Sequence, residues 1–390
     1  MTMTLKSTIA AVLAAAATTV GAQEEIKIGA CQPITGRFAF AGGQLNAGLG
    51  DSIAFAQEQG LVKGKKLTYF FEDTGYDTEK AVASFKKMMA QQNPAIMYGE
   101  STGQGKAIAP ELNSKYKIMY GSTSFSSELA NPKTHPYSFV SGPTYSDQFG
   151  ILLQYIAKGA AKGVRPKVAF FYSDTEFGKD PIAWGKQRAA DLGIDVVAEV
   201  VAKVGAVDVT TEVLNLKKAQ PDFVIFQGFV MAPIPEVIRA ARDHGLKTTF
   251  MSTFWSMDKG IIEKLGEDAE GYMGVNPYGY YYDDTPAMAA MRKYNERVHP
   301  AEAKYRPNSY IQGWFTGMVF VESLRRTVAA GKPVTGDNLM AALATIKDWD
   351  TNGITGKVTF VNNKAAVGRV YRANVAKGVF EPASDWIYLK

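Results

Sequence analysis

Gly99-Glu100-Ser101-Thr102-Gly103 follows an apolar run directly and has the spacing of a nucleophile elbow, in which a serine on a sharp strand-to-helix turn attacks an acyl carbon. That chemistry needs a base to take the hydroxyl proton, with an acid and then a histidine following in the chain. The histidines after Ser101 are His135, His244 and His299. His135 sits in a proline-punctuated stretch, and the other two stand at expected helix ends beside Gly245 and Pro300. None occupies a strand-exit loop, and no HGGG-like segment precedes Ser101. A serine hydrolase using Ser101 is therefore kept only as an alternative, and no enzyme is expected.

The same residues suit a second chemistry, which is binding. Two apolar runs, Ala95-Ile96-Met97-Tyr98 and Lys117-Ile118-Met119-Tyr120, each empty into a loop of glycines and hydroxyls, Gly99 to Gly105 and Gly121 to Ser127. In a parallel α/β sheet such loops gather at the carboxyl edge, where ligands bind. Free N–H groups at the following helix start favour an anion there. A single turn serine ordinarily bonds its own backbone. Clustering at two adjacent strand ends is what makes Ser101, Thr102, Ser122 and Ser124 candidates.

Other chemistries find little support. Cys31 is the only cysteine, which excludes an internal disulfide and a cysteine zinc site. Glu296 and His299 are helically spaced, but one pair does not make a metal site. No P-loop occurs, and no G-x-G-x-x-G follows the first strand, so no cofactor is expected. The formal charge is +5 over 390 residues, without a Lys/Arg run of five, which argues against a nucleic-acid partner.

Strands and helices must position these loops. Ile26 to Cys31 reads as a buried strand, followed by a glycine-bounded loop, Pro33 to Gly43, that contains Arg37 and Phe38. Leu45, Leu49 and Ile53 mark a helix face, and Leu67, Tyr69 and Phe71 alternate as a strand. Asp77 or Thr78 caps a helix with Val82, Phe85 and Met89 inward. Asn131 to Pro143 reads as a crossing between lobes. The alternation then restarts, with a helix from Tyr145 to Lys158 and strands at Val168 to Tyr172, Ile194 to Val201, Phe223 to Phe226 and Thr248 to Met251. Long helices follow after Gly271, and the last forty residues return to strands. The expected fold is α/β, two Rossmann-like lobes with a hinge. Lobe 1 is residues 23–144 plus 277–355, and lobe 2 is residues 145–276 plus 356–390.

Residues 1–22 read as a signal peptide. Lys6 precedes an alanine-rich apolar run, Ile9 to Val20, that is too short to span a bilayer. Val20-Gly21-Ala22 is a small-residue cleavage site, so the mature chain would start at Gln23 in the periplasm. The lipoprotein-like Ile28-Gly29-Ala30-Cys31 is separated from that run by Glu24, Glu25 and Lys27 and is set aside. No later stretch has transmembrane length, so the protein is not expected to be membrane-embedded.

Ile26-Lys27-Ile28-Gly29, then Pro33-Ile34-Thr35-Gly36 and Gly42-Gly43, resemble the opening of the periplasmic branched-chain amino-acid binding proteins of ABC uptake systems. Ile238-Arg239-Ala240-Ala241-Arg242, Gly245-Leu246-Lys247, Ala269-Glu270-Gly271 and Gly353-Ile354-Thr355-Gly356 extend the likeness to the end of the chain. The resemblance implies a type I periplasmic binding protein fold with three crossovers, closure on a small solute, and a membrane permease as partner. It also places the site. The hydroxyl loops match at Gly99 to Gly103 and Ser122 to Ser126, with Ser124 and Phe125 nearest the usual contact positions. Tyr145, Phe177, Phe229 to Met231 and Phe254-Trp255 line the facing wall, and Phe38 completes the candidate set.

One departure bears on the ligand. Amino-acid binders of this type oppose the hydroxyls with an acidic side chain that neutralises the ligand ammonium. Phe254 or Trp255 falls at that position here, and no carboxylate is offered until Asp258. A buried ammonium without a counter-charge costs several kcal/mol. The expected ligand is a small carboxylate with an apolar, aromatic body, with a branched-chain amino acid or short amide as the alternative. A sensor domain of the same fold would need a separate membrane protein.

Overall fold

The computed structural model describes residues 23–389. The expected signal peptide lies outside them.

β1 (Glu24–Gln32) enters the core, and α1 (Ala39–Glu58) covers it with Leu45, Leu49 and Ile53, at the spacing read from the sequence. β2 (Lys65–Asp73) leads to α2 (Thr78–Gln92), which begins on the Asp77 carboxylate, an acceptor for the Lys80 amide. Phe85 and Met89 are buried on α2 with Met88 and Ala81, whereas Val82 is only partly covered. β3 (Ile96–Tyr98), α3 (Thr102–Glu111), β4 (Met119–Ser122) and β5 (Ser138–Val140) complete the first pass. β5 pairs in parallel with β4 inside the first sheet, so most of the stretch expected to cross between lobes belongs to lobe 1. The crossing itself is the short run after Val140.

α4 (Tyr145–Gly159) opens the second lobe on a reciprocal Thr144–Asp147 cap. Strand and helix then alternate through β6 (Lys167–Ser173), α5 (Glu176–Lys179), α6 (Ile182–Asp191), β7 (Asp195–Ala202), α7 (Thr210–Ala219), β8 (Phe223–Gln227), α8 (Ile234–Asp243), β9 (Thr249–Ser252), α9 (Lys259–Leu265) and β10 (Met273–Asn276). The chain returns to the first lobe through α10 (Pro286–Val298), α11 (Asn308–Ala329) and α12 (Gly336–Leu343). β11 (Phe360–Val361) and β12 (Lys364–Ala365) add to the first sheet, and β13 (Val367–Asn374), β14 (Val379–Pro382) and β15 (Ile387–Tyr388) close the second.

The first sheet runs β11-β12-β5-β4-β3-β1-β2 and the second β14-β13-β10-β9-β8-β6-β7, with β15 on β13. Their central strands are parallel, and antiparallel pairs occur only at the late edges. The return to lobe 2 comes later than residue 356: Lys364 pairs with Val140 of β5, and the second sheet resumes only at Val367. Three short segments thus join the lobes, after Val140, Asn276 and Ala365. Tyr278 on the second donates its hydroxyl to the Ser141 carbonyl on the first, 2.8 Å away, so the crossings lie side by side.

Covering helices explain the long apolar strands, since a parallel sheet is buried on both faces. On β6 Phe170 packs into one apolar cluster and Phe171 into another, and Ile225 and Phe226 divide the same way on β8. In lobe 1 the backbones of α1 and α11 touch. A Cβ on Gly48 would lie 2.0 Å from the Tyr310 carbonyl oxygen, and one on Gly313 2.2 Å from that of Leu45.

Candidate functional site

The carboxyl ends of the central strands of both sheets face one cavity, lined from both lobes. From lobe 1, the loop after β1 and the start of α1 contribute Pro33, Phe38, Ala41, Gly42 and Leu45. Tyr76 follows β2, Glu100, Ser101 and Thr102 follow β3, and Thr123 and Ser124 follow β4. Lobe 2 supplies Tyr145 from the start of α4, Phe177 after β6, Val230 after β8 and Trp255 after β9.

The polar floor is built where two strands end against one helix start. Ser101 caps α3: its hydroxyl oxygen accepts from the Gln104 amide at 3.2 Å and its proton is directed to Glu100 Oε1 at 3.3 Å. The Thr102 and Ser124 hydroxyls pair at 2.6 Å. Ser124 Oγ also accepts from the Ser126 amide, and Ser122 Oγ from the Ser124 amide. Gln32 Nε2 and the Thr123 hydroxyl both donate to the Gly99 carbonyl. The loops are therefore held in shape by their own hydrogen bonds, and the first turn of α3 presents the positive end of its dipole to the cavity.

Rings from both lobes form the rest of the wall. The Phe38 and Tyr76 rings lie 4.1 Å apart between centroids, and those of Tyr145 and Phe177 5.1 Å apart. Trp255 stands 6.3 Å from Phe177 and donates its indole N–H to the Tyr145 hydroxyl at 2.9 Å. Tyr76 has a left-handed backbone, φ 62°, in a turn that Asp73 pins by accepting from the amides of Ile34, Thr35 and Gly75 and from the Thr35 hydroxyl.

Among the described residues, Glu100 is the only ionisable carboxyl on the cavity wall, and no lysine, arginine or histidine lines it. Its side chain is 3% exposed, and Oε2 is shielded with no hydrogen-bond partner among the described residues. Burial pushes its pKa up, the Ser101 hydroxyl opposes this, Asp77 and Asp73 add to it, and Lys80 opposes it. The result is about 8.

Of the residues singled out from the sequence, Phe38, Ser101, Thr102, Ser124, Tyr145, Phe177 and Trp255 meet at this cavity, and Ser122, Phe125, Phe229 and Phe254 stand behind it. Ser122 is spent on the loop. Phe125 is fully buried beneath the site, with its ring against Tyr145 and Phe254. Phe254 turns inward onto Phe125 and Tyr278, leaving its neighbour Trp255 to face the cavity. Phe229 packs on Phe171, and Val230 takes the wall position. Arg37 does not line the cavity, and its guanidinium lies 5.5 Å from the Tyr76 ring centroid. Asp258 is occupied elsewhere, capping α9 and accepting from the Tyr305 hydroxyl and the Asn308 amide.

Glu100, Tyr76 and Thr123 were not singled out, and Val230 is covered only by the range Phe229 to Met231. Tyr76 follows from applying the strand-exit rule to β2, and Glu100 lies inside the hydroxyl loop, where its burial has no sequence signature. Ser101 is extended, φ −160°, and bonds Glu100 and Gln104 where an elbow would need a base. His135 bonds Thr134, and His299 pairs with Asp51. Among the described residues no cluster of three metal-ligating side chains occurs, and no helix is long and apolar enough to cross a membrane.

A family model described as "Periplasmic binding protein" matches residues 25–378. The Leu/Ile/Val-binding protein of Citrobacter freundii is 26% identical over 306 residues, covering 74% of this chain and 76% of that protein. The crystal structure of a branched-chain amino acid ABC transporter protein from Thermus thermophilus with bound valine superposes with a TM-score of 0.85 at 21% identity, covering 94% of this chain and 97% of that one. An ABC transporter substrate-binding protein from Aeropyrum pernix gives 0.82 at 19% identity, covering 94% and 96%.

Proposed function

The chain belongs to the periplasmic binding protein family, and on that premise we propose that it binds a small carboxylate with an apolar, aromatic body between its two lobes and delivers it to the membrane permease of an ABC uptake system. Residues 1–22 would direct its export as a cleaved signal peptide. The lobes close on the ligand without chemistry, and differential contacts with the ligand drive the closure.

The observation that carries this reading is the make-up of the cavity, where hydroxyls and a helix start on the first lobe face Tyr145, Phe177 and Trp255 of the second, with Phe38 and Tyr76 closing the wall from the first. An anionic head is stabilised by oriented dipoles at the start of α3 without needing a basic side chain. The body lies among Phe177, Tyr145 and Trp255, where each ring pair adds about 0.5–1.5 kcal/mol beyond area burial.

Glu100 favours a second reading, an amino acid whose ammonium meets the unpartnered carboxyl oxygen. The printed names of the relatives, Leu/Ile/Val-binding and valine-bound, point the same way. Calorimetric titration with benzoate, cinnamate, leucine and valine separates the two. Tighter binding of the aromatic acids is expected, and tighter binding of leucine or valine overturns the carboxylate reading. Wild type and Ser101→Ala are both expected to leave p-nitrophenyl esters intact; turnover lost in the variant would revive the hydrolase.

A further inference from the structure

The hydroxyl floor and the ring wall leave Glu100 unaccounted for. Its Oε1 receives the Ser101 hydroxyl, and its Oε2 is shielded and unpartnered beside the cavity. An orphaned buried oxygen costs about 1–3 kcal/mol, so a ligand group that meets it binds better for doing so.

The groups around Glu100 decide its proton. Asp73 ends β2, and Asp77 caps α2. Both are carboxylates, and their field raises the Glu100 carboxyl. Lys80 on α2 is the nearby cation, and its ammonium is shared with Asp73 at 3.6 Å. From β1, buried Cys31 is neutral, its thiol pushed up to about 12 chiefly by burial. From β4, the Tyr120 hydroxyl bonds Gln104 Oε1, which also holds the Glu100 amide. Tyr76 stands over the site with Arg37 on its ring. Among the described residues no cation contacts the Glu100 carboxyl, and burial beside two carboxylates favours its protonated form.

We propose that Glu100 meets the ligand as a neutral carboxylic acid, with Ser101 donating to Oε1 and the Oε2 hydroxyl donating to the ligand carboxylate. Loading an anionic ligand onto an ionised Glu100 then takes one proton from solvent. This deepens the carboxylate reading and rests on it. A ligand ammonium would use the same oxygen in the opposite protonation state and would release a proton from a neutral Glu100. The sign of proton exchange therefore reports which ligand chemistry the site serves.

The test is calorimetry of the wild-type protein with benzoate at about pH 7 and about pH 9, in buffers of different ionisation enthalpy. The expected result is uptake approaching one proton at the higher pH, with affinity falling about tenfold between the two. Glu100→Gln, whose amide still donates, should bind benzoate with a flat pH profile and no proton exchange. Benzoate binding to wild type without proton uptake overturns the inference and leaves the carboxylate reading standing. Wild-type pH dependence persisting in Glu100→Gln places the linkage on another group and also overturns the inference alone. No binding of benzoate or cinnamate, with leucine or valine binding and releasing a proton, overturns both. Failure of all four to bind does the same.

Discussion

Replacing Glu100 with glutamine should stabilise the empty protein at neutral pH, although substitution of a buried hydrogen-bonding group usually does the reverse. The ordinary value for this carboxyl is 4.5, and burial, with Asp77 and Asp73 outweighing Ser101 and Lys80, raises it to about 8 in the folded chain. A raised carboxyl means that the folded state holds its proton more tightly than the unfolded state. Below 4.5 both states are protonated and the group carries no penalty. From 4.5 to about 8 the unfolded chain has lost the proton while the folded chain keeps it, so stability declines by roughly 1.4 kcal/mol per pH unit. The accumulated loss is roughly 3 kcal/mol by about pH 7 and levels off at roughly 5 kcal/mol above about pH 8. Glutamine keeps the shape and stays neutral, so it escapes the penalty. Urea unfolding of both proteins from about pH 4 to about pH 9 measures the effect. The two stabilities should converge at the acid end and separate in favour of the variant as pH rises. Parallel curves would show that Glu100 is ionised in the empty cleft and would refute the reasoning.

Trp255 is the one tryptophan on the cavity wall among the described residues, so benzoate or cinnamate binding should change the intrinsic fluorescence of the wild type and leave that of Trp255→Phe unchanged. Asp180 accepts the Ser126 hydroxyl across the lobes, and Lys106 bridges Glu128 and Glu176. Asp180→Ala with Lys106→Ala should weaken every ligand by a similar factor, roughly tenfold, because these contacts favour the closed form and touch no ligand; calorimetry showing ligand-dependent losses would contradict this. Gly48→Ala should cost roughly 1–3 kcal/mol in urea unfolding, since its Cβ meets the backbone of α11 at 2.0 Å. Gly43→Ala on the same helix, with nothing within 4 Å, should be neutral or gain up to about 1 kcal/mol.

Much of the fold is legible along the chain because its signals are local. Leu45, Leu49 and Ile53 announce a helix face whatever they pack against, and Asp77 caps α2 with a partner three residues away. Glycine and hydroxyl loops after β3 and β4 are visible as a change of composition. The edge strands are not legible in the same way. β11 and β12 are two residues long each, and only pairing with β5 assigns them to the first sheet. In the site, the errors are of one residue. Phe229 and Phe254 turn inward, where Phe171 and Phe125 give them a better-packed place, and Val230 and the expected Trp255 face the cavity.

Two alternating halves, the loops that meet at the cleft and its hydroxyl-rich floor are thus written in the order of residues, since each depends on neighbours a few positions apart. The tertiary structure alone decides the state of Glu100 and the final composition of the wall. The Glu100 carboxyl is raised chiefly by burial, with Asp77 and Asp73 from the start of α2 and the end of β2 adding to it, and no spacing within a loop of five residues records how completely the fold will exclude water.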